Sequence, residues 1–234
     1  MDQIPTQAVE DYLKTIYKIQ QENGEVVATT ALAERMGVAP ASATNMVKKL
    51  AEVKLVLYKP YQGVALTETG REIALRVIRY HRLIERYLFE KLDVPWDEVH
   101  AQAENWEHSL SEILAERMDI VLGKPTTDPH GSPIPTQDGS IIQPQQTRLA
   151  NLGPGQSAII SEVSDHNADL LRYLNDLALY PGETVEASKI IPPDGSLTIY
   201  IKGTQHTIGL EVARHVFVTG LGRSDNNGHQ DGNS

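Results

Sequence analysis

The chain of 234 residues has a formal net charge of −10, 13 prolines, 17 glycines and no cysteine. Its length exceeds the roughly 100–150 residues that one core usually organises, so two domains or three small ones are expected. Without cysteine there are no disulfides, thiolate metal sites or cysteine nucleophiles, and any bound metal must be held by oxygen and nitrogen.

An amino-terminal arm, Met1–Thr6, lacks periodicity. From Gln7 a helical stripe of Val9, Tyr12, Leu13, Ile16, Tyr17 and Ile19 runs to a stop at Asn23 and Gly24, and Asp11 stands beside it. Thr29 or Thr30 is expected to start a second helix that ends at Gly37. Pro40 then opens a third, with Val47, Leu50 and Val53 at helical spacing. A short helix, a glycine-containing turn and a helix that begins with small and hydroxyl residues form a helix-turn-helix pattern. Two β-prone stretches around a turn at Pro60–Gly63 follow, with Lys59 and Tyr61 at the tip, and read as a wing. Between Thr29 and Thr67 the bases Arg35, Lys48, Lys49, Lys54 and Lys59 outnumber the acids Glu34 and Glu52. This acidic chain therefore holds a locally basic segment suited to DNA phosphates.

Thr67 or Thr69 begins a long amphipathic helix whose apolar residues, from Ile73 to Leu88, exceed what one small domain needs, so a homodimer is expected. It carries His81 and Glu85 at i, i+4. Pro95 and Asp97 open the next helix, which is expected to continue to Gly123; His100, Glu104, Glu107 and His108 fall at i, i+4, i+7 and i+8 and share one face. Carboxylates and imidazoles held at rigid spacing suit a divalent transition metal. For one such pair an ordinary solvated helix side is the better reading; two sets together with Asp11 favour a metal site. Trp106, between these residues, is expected in the core, and His166, His206 and His215 at the surface or in packing. Residues 124–150, dense in Pro, Gly, Ser and Thr, read as a linker. Beyond Leu152, short β-branched stretches with the helix ADLLRYLNDLAL after the first suggest a small barrel, followed by a polar tail.

EDYLKTIY at 10–17, HRLIE at 81–85, His100 with WEH at 106–108, and DPHGSPIP at 128–135 together resemble the diphtheria toxin repressor family of metal-dependent transcriptional regulators, over about Val9–Val218. The resemblance implies a multidomain, mainly α fold. Its parts are a winged helix-turn-helix DNA-binding domain over 1–70, a helical dimerisation and metal domain over 71–123, the linker over 124–150, an SH3-like (FeoA-like) β-barrel over 151–221 and a disordered tail over 222–234. It also implies a primary metal site of Asp11, Glu104, Glu107 and His108. An ancillary site would use His81, Glu85 and His100, with Glu162 and Asp165 from the barrel. The family's iron-responsive branch places methionine and cysteine where this chain has Asp11 and Glu104, so the set matches the manganese-responsive branch, with Fe(II) as the alternative. That branch often has a carboxylate where Lys14 stands, so a binuclear arrangement is not expected. The base-reading positions would be Ala39, Ala41, Ser42 and Asn45, with Lys48, Lys49 and Lys59 on phosphate.

The expected function is a Mn(II)-activated homodimeric repressor of metal-uptake genes acting on double-stranded operator DNA. A cytoplasmic location without a membrane partner is expected, because the chain has neither a signal-peptide pattern nor an apolar run of bilayer length. A metal-dependent hydrolytic enzyme is the competing class, since an open coordination position can activate water. No general base beyond the ligands, no nucleophile motif and no phosphate-cradling glycine loop supports it, so no enzymatic activity is expected.

Overall fold

The computed structural model describes residues 5–165, 167–191 and 195–223. His166 and the tail from residue 224 lie outside the described residues. Two compact units interleave along the chain: one holds the sequence through Tyr87 with Ala101–Thr126 and Ile134–Ile142, the other Leu88–His100, Thr127–Pro133 and the sequence from Gln143. The expected linker is thus divided between the two. Among the described residues no helix is long and apolar enough to cross a membrane.

In the first unit, α1 (Gln7–Asn23) buries Tyr12, Leu13, Ile16, Tyr17 and Ile19, the stripe its periodicity marks out. They share one core with Leu32 of α2 (Thr29–Arg35), Val47 and Leu50 of α3 (Pro40–Glu52), and Val56 and Val64 of the wing. Leu13 and Ile16 are fully enclosed, so truncating either to alanine costs about 2–5 kcal/mol. Pro40 occupies the first turn of α3, where its missing N–H is not required. The wing pairs β1 (Val56–Lys59) antiparallel with β2 (Gly63–Leu66), and a turn carries Tyr61, fully exposed, to the tip.

The long helix α4 (Glu68–Leu92) buries Leu75, Val77, Ile78, Leu83 and Ile84 within the chain. Its buried Arg79 donates to Pro135 O at 2.6 Å and pairs with Asp119 at 2.9 Å, which fastens the 134–142 segment to this unit. The helix expected from Pro95 to Gly123 is two: α5 (Val99–Trp106) and α6 (Glu112–Val121). The Ser111 hydroxyl accepts from Leu114 N, so it caps a new helix rather than continuing the old one. On α6, Ile113, Leu114, Ile120 and Val121 are more than half exposed. The largest exposed apolar face among these helices therefore belongs to α6, whereas α4 buries most of its apolar residues inside the chain and exposes only Phe89 and Leu92 near its end.

The second unit is built on a six-stranded antiparallel sheet in the order β3-β8-β4-β5-β6-β7, with β3 (Thr147–Arg148), β4 (Gln156–Val163), β5 (Thr184–Ile191), β6 (Ser196–Ile201), β7 (Thr204–Gly209) and β8 (Val216–Arg223). The expected closed barrel is not formed: the sheet is open. Closure requires the outermost strands to pair, but β3 spans only two residues on β8, and β7 is bonded to β6. Helix α7 (Ala168–Asp176), capped by Asn167 Oδ1, packs Leu171 and Leu174 into a core with Ile160, Val185, Ile199 and Val218. A short helix α8 (Leu210–Ala213) precedes β8.

The DPHGSPIP segment is not a solvated linker where it joins this unit. Asp128 Oδ1 accepts from His130 N and Ser132 N, and Val163 N donates to His130 O. Trp96 Nε1 donates to Pro129 O at 2.9 Å, and His130 Nε2 lies 3.0 Å from Trp96 O. Gly131, at φ +91°, passes so close to the sheet that a Cβ would stand 2.0 Å from Ser161 O. Only glycine fits there.

Candidate metal centre

Within the first unit, α1 and the end of α5 bring acids and an imidazole together. Asp11, Glu107 and His108 each place one ligand atom within 4.8 Å of the others, and His81, Glu104 and Glu107 do the same. α5 ends at Trp106, so Glu107 and His108 lie in the turn that follows rather than on the helix itself. Glu107 N still donates to Ala103 O, which keeps the carboxylate on the side where Ala103 is buried. Trp106 is one residue away, about 100° around the axis, and is 45% exposed instead of in the core.

The His108 ring is held through Nδ1 and faces carboxylates at Nε2. Its Nδ1 is 2.7 Å from Glu10 Oε2, and its Nε2 is 2.8 Å from Asp11 Oδ1 and 3.2 Å from Glu107 Oε1. Nδ1–H donation to Glu10 would leave the Nε2 lone pair facing those two carboxylates. That Nε2 is buried and satisfies no hydrogen-bond geometry, as expected of a nitrogen aimed at a cation rather than at a donor. Donor chemistry and geometry therefore both fit a divalent ion held by Asp11, Glu107 and His108.

Glu107 is the hub. Its Oε2 lies 2.5 Å from His81 Nδ1, while its Oε1 accepts from Lys14 Nζ at 2.5 Å; Lys14 also donates to Glu104 Oε1 at 2.9 Å. Burial alone would raise the Glu107 carboxyl, but its hydrogen bond to His81 and the charges of His81 and Lys14 outweigh it and hold the group below the ordinary value. Asp11 is pushed up, chiefly by burial, with His108 and Lys14 opposing. Burial disfavours the Lys14 ammonium, yet the Glu107 and Glu104 charges more than offset this and raise its pKa.

The residues expected in an ancillary site fall into pairs inside each unit. In the first, His81 Nε2 lies 3.0 Å from Glu85 Oε1, so His81 touches Glu85 with one nitrogen and Glu107 with the other. In the second, His100 Nδ1 lies 3.4 Å from Asp165 Oδ2. Glu162 is engaged differently: Ser132 Oγ donates to one oxygen and Gln146 Nε2 to the other, both at 2.8 Å. Among the described residues it joins no group of potential ligands. Ala39, Ala41, Ser42, Asn45, Lys48 and Lys49, on or beside the first turns of α3 and its outer face, are all exposed, as is Lys59 on the wing.

Sequence reading passed over Glu10 and did not foresee where the Lys14 ammonium sits. Both flank Asp11 on α1 at an i, i+4 spacing, so they project to one side of the helix with it. Glu10 is buried and also meets Arg76 of α4 at 3.3 Å.

A winged helix in one unit with a carboxylate–imidazole cluster between its first helix and the helical segment beyond defines a metal-responsive DNA-binding regulator. The chain belongs to the diphtheria toxin repressor family of metal-dependent transcriptional repressors. Residues 6–64 match the iron dependent repressor N-terminal DNA binding domain, 67–136 the iron dependent repressor metal binding and dimerisation domain, and 147–220 the FeoA domain. The iron-dependent repressor IdeR of Mycobacterium tuberculosis is 33% identical over 222 residues, covering 89% of this chain and 95% of that protein. The diphtheria toxin repressor of Corynebacterium diphtheriae is 29% identical over 86% of this chain and 96% of its own. A solved manganese-dependent transcriptional repressor in complex with manganese superposes with a TM-score of 0.84 at 35% identity, covering 90% of this chain and 98% of that one.

Proposed function

We propose that this chain is a homodimeric, Mn(II)-activated repressor that binds operator DNA of metal-uptake genes, with Asp11, Glu104, Glu107 and His108 as its primary ligands. The observation that carries the metal choice is the donor set: Asp11, Glu107 and His108 converge with no sulfur among them. Hard oxygen and imidazole donors suit Mn(II), which cannot prevail on affinity over later metals and must be selected by ligand type and geometry. Fe(II) accepts the same donors, and the likeness to IdeR, an iron-dependent repressor by name, keeps it as the second reading. His81 with Glu85, and His100 with Asp165, are also proposed as metal-ligand pairs, each within its own unit.

A bound divalent ion supplies positive charge that draws anionic ligands to a common point. The chain's residues do the rest. Asp11 belongs to α1, whose opposite face is the core of the winged helix, while Glu107 and His108 belong to the helical metal and dimerisation segment. Holding these together restricts the DNA-binding portion relative to the dimerising helices, so metal and DNA bind with positive coupling. The exposed apolar α6 face suits a second copy. At the DNA, Asn45 can read an adenine edge, and Lys48, Lys49 and Lys59 add phosphate contacts.

Selection of genomic fragments by the purified protein with Mn(II), anaerobic Fe(II) or chelator, at one fixed salt concentration, tests this. Recovery of a shared palindrome with Mn(II) and not with chelator is expected. Equal or better recovery with Fe(II) transfers the assignment to iron, and enrichment independent of metal overturns it.

A further inference from the structure

Lys14 is an unusual neighbour for a cation site. Its side chain is 7% exposed, and the ammonium sits 2.9 Å from Glu104 Oε1 and 2.5 Å from Glu107 Oε1. Lysine is the side chain that most readily stays at the surface, since burial removes hydration and rotamer freedom, so a lysine enclosed to this degree is kept by its partners. Both partners are proposed metal ligands. Glu107 Oε1 also faces His108 Nε2 at 3.2 Å, so the oxygen that holds the lysine is the one turned towards the proposed cation position. One carboxylate oxygen cannot hold an ammonium at 2.5 Å and a divalent ion at bonding distance along the same approach.

We propose that Lys14 is a tethered competitor for the metal: its ammonium and the divalent ion contend for Glu104 and Glu107. The inference rests on the metal-site reading above. Lys14 must release these oxygens before they can take up an ion, and its positive charge repels an ion held by Asp11 and His108 alongside it. Two consequences follow from the geometry. The affinity is set lower than the three acids and one imidazole would give alone, so the site fills only at a higher free metal concentration. The pairing also fastens α1 to the end of α5 without metal, because Lys14 belongs to the former and its two partners to the latter segment. The site is thus an exchange of one cation for another, in which the ion would replace the two-oxygen tie of Lys14 with one that also draws in Asp11 and His108.

The test is metal binding by the full chain, stripped with chelator, using Mn(II) in a metal-buffered titration without DNA, together with hydrogen exchange of the α1 amides in the stripped protein. Lys14→Met removes the charge at similar length, and Lys14→Gln provides a second variant should the first not fold. Removing a unit charge a few ångströms from the ion should tighten Mn(II) binding by about tenfold or more. The α1 amides of the stripped variants should exchange faster than those of the parent. Unchanged or weaker Mn(II) binding in both variants overturns the competition and makes Lys14 a support for the ligands. Asp11→Ala and His108→Ala separate the two readings: if neither weakens Mn(II) binding, the site itself is wrong; if both do and the Lys14 variants bind no more tightly, only the competition fails.

Discussion

Glu107, buried, and Glu162, half-buried, each have both oxygens engaged, but their partners differ in kind. Glu107 is shared by Lys14, His81 and His108, all charged or chargeable, whereas Glu162 accepts from the neutral hydroxyl of Ser132 and the neutral amide of Gln146. A carboxylate among neutral donors is satisfied as part of the fold, and a cation would have to break two hydrogen bonds to reach it. A carboxylate among cations exchanges like for like. Proximity of acids is therefore a poorer guide to a metal ligand than the character of what the acids already hold.

This contrast yields a graded set of expectations. Glu107→Gln, which keeps the shape and removes the charge, should weaken Mn(II) binding by roughly 100-fold or more, because it removes a ligand and the anchor of both His81 and Lys14. A metal-buffered titration measures this. Glu10→Gln should weaken it by about 10–100-fold through loss of the carboxylate that orients His108 and fixes its tautomer, with folding retained on thermal denaturation. For Glu162→Gln the expected change in Mn(II) affinity is within about threefold, with a stability loss of about 1 kcal/mol from one disturbed hydrogen bond. A large affinity loss in that variant would erase the contrast and make Glu162 a ligand. The smallest effect is on acid stability. Since the folded Glu107 carboxyl lies below its unfolded value of 4.5, its contribution is present above that pH and is lost as the pH falls through the lower folded value. In chelator, Glu107→Gln should show a shallower decline of stability below pH 4.5 than the parent.

Much of the architecture is legible from local pattern. The α1 stripe, the Pro40 start of α3 and the hairpin around residues 60–62 are short-range signals that the fold leaves unchanged. Asp11, on another helix, enters the ligand set only through the family resemblance, whereas Glu107 and His108 are legible as candidates because spacing and residue type coincide. Glu10 and the Lys14 ammonium were not, since a helical acid next to a helical base reads as a solvated pair until α5 is known to lie over them. The split between α5 and α6 depended on Ser111 capping rather than continuing, a choice that hydrophobic period does not encode. Composition also misjudged DPHGSPIP: its prolines and glycine mark irregular backbone, but irregular backbone can be buried when Asp128 and Val163 satisfy its amides and carbonyls. Barrel closure was unreadable because it turns on whether the two outermost strands meet, a property of neither strand's sequence.

The first helix has one further property, its length. Its 17 residues span about 25 Å, with Asp11 near one end and Ile19 of the winged-helix core near the other. A tilt of roughly 5° about the Asp11 end would sweep the far end through about 2 Å over that span. Hydrogen bonds to base edges form within a few tenths of an ångström around 2.9 Å. Under the proposed mechanism the helix would act as a lever, converting a small angular change at Asp11 into the difference between a base contact made and one missed.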